Sequence, residues 1–361
     1  MYNRFIFDDL RYRENLQHEF IGLTKVFEAV DALAYCFLKN TLGKDWIVNK
    51  RFVPVTVFRE EGDYYINIDS YVINVPYHDC FRSRYWAFLS HEVAHMFVHY
   101  YHLEIRDQEF NDLLTRNFYK LSQILQVPTD EPALISQVVE LICDIIACFV
   151  CGPPPLFSLC TYDILSLSRV YMRKSQCIDI VFRTHPLLFF RIAAMKKTLE
   201  HTGIMNVDND LSEFISSTER LLYFDTKFTF YILMKNKCYQ IPRNFLKKYS
   251  KFVQELTSDV LIFLDWKTHE IKPYGKNKYM DTIKMLKSME LEHMTPIDAM
   301  NMVWLKRRAK TFDASHISTE EFFQDRKNET KIFETMTRQC YKYYDEIVVL
   351  ETKDYTMEVS S

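Results

Sequence analysis

The chain has 361 residues, of which 48% are hydrophobic and 15% aromatic, and its formal net charge is −3. This composition is too apolar for intrinsic disorder, and the charge gives no basic footprint for nucleic acid. Six glycines and eleven prolines favour a chain dominated by helices with few tight turns.

Targeting signals and cysteines indicate the compartment. The amino terminus lacks the apolar run and small-residue cleavage site of a signal peptide, and no stretch approaches about 18 uncharged apolar residues. Nine cysteines are an odd number without a repeated C-x-x-C, which is typical of reduced, buried thiols. We therefore expect a cytoplasmic protein with no membrane and no nucleic-acid partner.

The first predicted elements are a helix over residues 10–40 and a β-hairpin over residues 53–75. Residues 53–58 and 64–75 are rich in β-branched and aromatic side chains, and Glu60-Glu61-Gly62-Asp63 supplies the turn. Exposed sheet edges pair with extended peptide backbone, so Tyr71 and Ile73 are candidates for binding a substrate. The alternative is that this segment is only the last strand of a small sheet.

The next element, a helix predicted over residues 81–104, carries the sequence His91-Glu92-Val93-Ala94-His95. Apolar residues recur there at spacings of three and four, without Gly or Pro. The two histidines lie on one helical face about 6 Å apart, so both can ligate one metal ion, and Glu92 is near enough to take a proton from metal-bound water. This is the HExxH arrangement of zinc metallopeptidases.

A catalytic zinc needs a third protein ligand and an open fourth position. His99 and His102 lie further along the same helix. Three ligands from successive turns of one straight helix cannot surround a tetrahedral ion well, so a third ligand on another helix is preferred. A helix predicted over residues 132–151, opened by Pro132 and closed by Gly152, carries Glu140 and Asp144 in an apolar run. These buried carboxylates need a cation, which is either a metal with its histidines or an Arg or Lys of a neighbouring helix.

His185 and Arg191 are the further candidates. Thr184-His185-Pro186 precedes a predicted helix that contains Arg191. Arg191 can bind a substrate carbonyl or carboxylate. The alternative is that His185 caps the helix and Arg191 pairs with an acidic residue.

Helices are also predicted over residues 107–126 and near residues 209–224, 242–265, 278–290, 295–310 and 318–345. Met300, Met302, Val303 and Trp304 are expected in the core rather than in a groove for a partner. We predict two parts, a catalytic domain over residues 1–235 and a C-terminal helical region over residues 236–361. The second part is a possible surface for a protein partner.

The motifs resemble the gluzincins, whose pattern is HExxH on one helix and Glu-x-x-x-Asp on a later helix. The resemblance implies one zinc ion held by His91, His95 and Glu140, with Asp144 orienting a ligand histidine through its outward nitrogen. It also implies that His185, from a later segment, hydrogen-bonds the tetrahedral oxyanion. Residues 50–200 are also similar to intracellular ImmA/IrrE-type proteins, in which a Glu-containing helix runs into Gly-Pro and a His-Pro element with Arg follows. The implied fold is a mainly helical α+β zincin-like core with a small antiparallel sheet or hairpin.

The sequence thus predicts a zinc-dependent peptidase that acts on proteins or peptides, with Glu92 as general base and His185 at the oxyanion. Two alternatives stay open. One is a regulatory or interaction protein with a zincin fold and little or no activity, and the other is a zinc hydrolase acting on a non-peptide amide.

Overall fold

The structure, a computed structural model, describes residues 21–43, 55–59, 64–68, 72–76, 86–129, 131–161, 177–178, 185–222, 229–234, 237–240, 244–267, 271–289 and 294–312. Most of these residues are helical and two small sheets complete the fold, which confirms the mainly helical α+β class. Contacts divide the chain into two compact units, residues 1–93 with 270–361 and residues 94–269. The division falls within one continuous helix, Phe88–His99.

The helices and strands follow each other in this order. The helices are α1 (Ile21–Leu42), α2 (Phe88–His99), α3 (Gln108–Leu125), α4 (Pro132–Cys151), α5 (Leu188–His201), α6 (Asn209–Leu222), α7 (Phe245–Trp266), α8 (Lys276–Ser288) and α9 (Pro296–Phe312), with a π-helical turn at Tyr100–Glu104, a 3-10 turn at Ile204–Asn206 and further helical residues at 154–161. The strands are β1 (Val55–Arg59), β2 (Tyr65–Asn67), β3 (Val72–Pro76), β4 (Cys177–Ile178), β5 (Thr229–Met234) and β6 (Lys237–Gln240).

The first unit contains a mixed three-stranded sheet with the order β1-β3-β2. Strand β3 pairs in parallel with β1 and antiparallel with β2. The predicted hairpin between residues 53–58 and 64–75 is therefore wrong in its pairing, because the hairpin partner of β3 is β2 and β1 reaches β3 through a crossover. The sheet is mixed and not antiparallel as predicted.

Buried carboxylates hold the other elements of this unit together. Asp31 of α1 accepts hydrogen bonds from the backbone N–H of Thr56, at 2.7 Å, and from its hydroxyl, which attaches α1 to β1. Asp298 at the start of α9 accepts hydrogen bonds from Tyr274 at 3.0 Å and Thr282 at 3.2 Å. Each acid is satisfied by several donors, which offsets the cost of its burial.

The second unit is a helical assembly in which α7 packs on α3, α4 and α5. Phe97 and Tyr101 at the end of the α2 segment contact Phe110 of α3 and Phe263 of α7, with ring centroids 4.4–6.4 Å apart. Asp107 caps α3 by accepting a hydrogen bond from the N–H of Phe110 at 3.0 Å. Helix α7 follows residue 235, so this part of the C-terminal region packs on the helix that carries Glu140.

Helix α4 is the central helix of this unit. Pro132 stands in its first turn and Gly152 ends it with a positive φ of 79°, a conformation that favours glycine. It is long and apolar enough to cross a membrane, but 83% of its most apolar 18-residue stretch is buried inside the protein. The core helix of a soluble protein can have the same length and composition. The burial and the two acidic residues are those of a core helix.

The predicted helices agree with the structure within a few residues wherever it describes them. Helices α3, α4, α6, α7, α8 and α9 confirm the predicted segments, and Met300, Met302, Val303 and Trp304 are buried as expected. The helix predicted over 10–40 is described from Ile21. In the segment predicted over 81–104, the α-helix runs from Phe88 to His99, after a turn at residues 86–87 and before the π-helical turn at Tyr100–Glu104. The helix predicted over 318–345 lies outside the described residues.

Candidate metal centre

Helix α2 brings His91 and His95 together on one face, as their spacing predicts. The side chain of His91 is buried, with 5% of the residue exposed, and the side chain of His95 is 17% exposed. Val93 and Phe97 on the other side of the helix are fully buried in the core. The packing of this apolar face therefore fixes the direction in which the two imidazoles point.

Glu140 of α4 is the residue that meets them. Its Oε1 lies 3.4 Å from Nε2 of His95, and its side chain is 10% exposed. One ligand atom from each of His91, His95 and Glu140 lies within 4.8 Å of the others. The structure thus brings together the three predicted ligands, which can hold a metal ion.

The donor set fits a catalytic metal site. Two imidazole nitrogens and one carboxylate oxygen leave the fourth position of a tetrahedral ion open for water or substrate. Donor atoms that share a tetrahedral zinc stand about 3.3 Å apart, given bond lengths near 2.0–2.1 Å. The distance of 3.4 Å between His95 and Glu140 matches that edge and exceeds the usual length of an N–H···O hydrogen bond. The same donor set also binds Fe²⁺ in some enzymes.

Glu92 follows His91 in the same helix and is buried, with 6% of the residue exposed. It lies about 100° around the helix from His91, so it flanks the cluster without occupying the same face. A carboxylate held at the border of a metal cluster in this way is suited to proton transfer.

Asp144 stands one turn after Glu140 on α4, and its observed partner is Arg191 of α5. Arg191 donates from Nε to Oδ2 at 2.7 Å and from a terminal nitrogen to Oδ1 at 2.8 Å. Both oxygens of Asp144 accept from one guanidinium, and the role of Asp144 in orienting a ligand histidine stays a prediction. Arg191 is held in a buried ion pair, which is the alternative that the sequence leaves open for it.

The two carboxylates of α4 therefore differ in their neighbours. Histidines surround Glu140, as a metal ligand requires, whereas an arginine neutralises Asp144, as the alternative for such pairs predicts. Because Glu140 and Asp144 are four residues apart, both side chains point towards the same side of α4. This spacing does not fix which side chains lie opposite each of them.

His185 lies beside the cluster. Its Nε2 is 3.2 Å from Oε2 of Glu140, and its side chain is 57% exposed. The helix that follows is capped by Leu187 without a side-chain hydrogen bond, so His185 is not the cap that the alternative expected. The sequence predicts a role towards substrate for His185 but not its contact with Glu140, because no local pattern encodes that contact.

Strand β3, which the sequence predicts to bind substrate at a sheet edge, is not an edge strand. Ile73 is fully buried, and β3 has neighbours on both sides, so the strand is central and not an edge. The backbone of β3 is engaged in both ladders and cannot accept an extended peptide. Tyr71 lies outside the described residues.

His99 and His102, the weaker candidates for the third ligand, have other contacts. Nε2 of His99 lies 3.8 Å from Glu104 within the π-helical turn, and Nδ1 of His102 lies 2.5 Å from the amide oxygen of Asn111. Among the described residues, the cluster that can hold a metal ion consists of His91, His95 and Glu140, and neither His99 nor His102 belongs to it. The third ligand on a separate helix is therefore the arrangement that the structure supports.

Comparisons of this chain with protein-family models, with curated proteins and with solved structures find no match.

Proposed function

We propose that this chain is a zinc-dependent peptidase that uses the cluster of His91, His95 and Glu140. The observation that carries the proposal is the convergence of these three side chains from two helices, with ligand atoms within 4.8 Å of one another. Glu92 adjoins the cluster on the same helix as the two histidines. Two imidazoles, a carboxylate ligand and a separate buried carboxylate are the groups that metal-assisted hydrolysis requires.

Zinc held by these residues would lower the pKa of a bound water towards about 7 and polarise the carbonyl of the scissile bond. His91, His95 and Glu140 hold and orient the ion, and together they leave one position for the reactants. The neutral form of each histidine is the form that ligates, so the pair needs surroundings that keep one ring nitrogen of each imidazole available.

Glu92 is the proposed general base. Its carboxylate takes a proton from the attacking water and delivers that proton to the nitrogen of the leaving amine. Both transfers use the same carboxylate. Its burial lowers the local dielectric and strengthens its interaction with a developing positive charge.

Access from solvent is compatible with this role. His91 and Glu92 are buried, while the side chains of His95 and His185 are 17% and 57% exposed. A reactant therefore reaches the cluster from the side of His95 and His185. The expected substrate class is a peptide or a protein.

The test compares the wild-type protein with Glu92→Gln in a peptide-library cleavage assay, after loading with zinc. We expect cleavage by the wild type and a loss of at least about 100-fold in the variant, with zinc content unchanged in both. Glu131→Gln, a buried glutamate at the amino end of α4, is the matched control and is expected to cleave normally.

Three results would contradict the proposal. Wild type that holds zinc and cleaves no peptide would favour the interaction protein that the sequence leaves open. Hydrolysis of small amides without peptide cleavage would favour an amidohydrolase. Equal cleavage by wild type and Glu92→Gln would exclude Glu92 as the base.

A further inference from the structure

The two oxygens of the Glu140 carboxylate have different histidine neighbours. Oε1 lies 3.4 Å from Nε2 of His95, which is one of the three candidate metal ligands. Oε2 lies 3.2 Å from Nε2 of His185. The side chain of Glu140 is only 10% exposed, so its second oxygen needs a protein donor. A ligand carboxylate without such a donor is free to rotate or to bind the ion with both oxygens.

The segment that carries His185 is anchored on the same helix as Glu140. Arg191, in the first turns of α5, makes its bidentate ion pair with Asp144, one turn after Glu140 on α4. Pro186 between them is buried, and its ring restricts the backbone next to His185. Two links, His185 to Glu140 and Arg191 to Asp144, therefore connect α4 to the start of α5.

We propose that His185 is a positioning residue for the metal ligand Glu140. Its Nε2–H donates to Oε2 of Glu140 and holds Oε1 towards His95, so that the carboxylate presents one oxygen to the ion. The Arg191–Asp144 pair keeps the start of α5 in the place where this hydrogen bond forms. The inference rests on the proposed metal site and replaces the role at the oxyanion that the sequence suggests for His185.

The direction of the His185 N–H distinguishes positioning of Glu140 from donation to an oxyanion. An oxyanion donor points its N–H at the substrate, whereas Nε2 of His185 is within hydrogen-bond distance of a ligand oxygen. Groups that hydrogen-bond to metal ligands raise metal affinity by about 10- to 100-fold. A donor to the oxyanion acts only when substrate is bound and leaves metal affinity unchanged.

The experiment measures zinc affinity by competition with a chromogenic chelator for wild type, His185→Ala and His185→Gln. Glutamine keeps an N–H donor near the position of Nε2 but is a poor zinc ligand. We expect His185→Ala to bind zinc about 10- to 100-fold more weakly and His185→Gln to recover most of the affinity. His201→Ala, which removes a partly exposed histidine at the other end of α5, is the matched control and should bind as wild type does.

A spectroscopic readout distinguishes positioning from a general loss of packing. With cobalt(II) in place of zinc, the visible d–d bands report the ligand field, and we expect them to change in His185→Ala and to return in His185→Gln. Circular dichroism of the metal-free variants checks that the helices are intact.

Several results would overturn the inference. Unchanged zinc affinity in His185→Ala, with slower cleavage, would restore the oxyanion role. Equal weakening in both variants would make His185 a ligand or a packing residue. Absence of zinc binding by the wild type would instead reject the metal site on which the inference rests, and that result is distinct from the other two.

Discussion

Arg191 donates two hydrogen bonds, of 2.7 and 2.8 Å, to Asp144, and the side chains of these residues are 9% and 0% exposed. The pair joins α5 to α4 in the interior of the protein. Each charge compensates the desolvation of the other, and the bidentate geometry satisfies both carboxylate oxygens. Because Glu140 lies one turn away on α4, this ion pair also fixes the surroundings of the candidate metal centre.

Replacement of Arg191 by Met should lower the free energy of unfolding by about 3–5 kcal/mol, because Asp144 then keeps a buried charge without its partner. The measurement is urea denaturation followed by circular dichroism. In the double variant Arg191→Met with Asp144→Leu, much of this loss should be recovered, because no buried charge remains. A loss below about 1 kcal/mol in the single variant would contradict the ion pair.

Zinc should stabilise the folded chain, because the unfolded chain lacks the converging ligands. A free zinc concentration 100 times the dissociation constant corresponds to about 2.7 kcal/mol of added stability. Thermal denaturation should show a higher Tm with zinc and a lower Tm after chelation. The same additions should leave the Tm of Glu140→Gln nearly unchanged, and an equal rise in that variant would place the zinc elsewhere.

Glu255 of α7 gives a pH-dependent contribution of defined sign. The hydrogen bond that it accepts from Lys120 of α3, at 2.9 Å, lowers the pKa of Glu255. A lowered folded-state pKa stabilises the protein above the unfolded pKa, which is near 4.5, and that stabilisation is lost as the pH falls through the folded value. Because the pair is partly exposed, its contribution at neutral pH is about 0.5 kcal/mol and weakens in salt.

The check compares wild type with Glu255→Gln in urea denaturation at neutral and at acidic pH. The variant should be less stable at neutral pH, and the difference should vanish once Glu255 is protonated. A difference that grows towards acidic pH would have the wrong sign for this ion pair.

Cys148 of α4 should be chemically inert in the folded protein. Burial raises the pKa of the Cys148 thiol well above its usual range, and nearby Asp144 and Cys151 raise this pKa further. The thiolate is the reactive form, so iodoacetamide at pH 8 should leave Cys148 unmodified in the native state and label it in denaturant. Mass spectrometry of peptides measures both. Native labelling as fast as denatured labelling would show that α4 is accessible.

The periodicity of apolar residues sufficed to predict most of the helices. Asp107 and Gln126 border α3, and Pro132 and Gly152 border α4, because capping and turn residues act locally. The i, i+4 spacing also places the two histidines of α2 on one face. These features depend on a few neighbouring residues, so a single sequence contains them.

The pairing of distant elements was less predictable. A strand pattern is the same for a parallel and an antiparallel neighbour, so the sequence does not reveal that β1 pairs in parallel with β3. The partners of Glu140 and Asp144 likewise depend on how α5 packs on α4. The sequence therefore predicted that Glu140 and Asp144 need cationic or metal neighbours, but it did not predict that Arg191 is the partner of Asp144.

The zinc content of the purified protein tests the central claim most directly. It is measured by elemental mass spectrometry, after mild washing with chelator, for wild type, Glu140→Gln and the control Glu131→Gln. The three-ligand site predicts about one zinc per chain in the wild type and the control, and clear loss in Glu140→Gln. Folded wild-type protein without zinc, or equal zinc in Glu140→Gln, would contradict a site built from His91, His95 and Glu140.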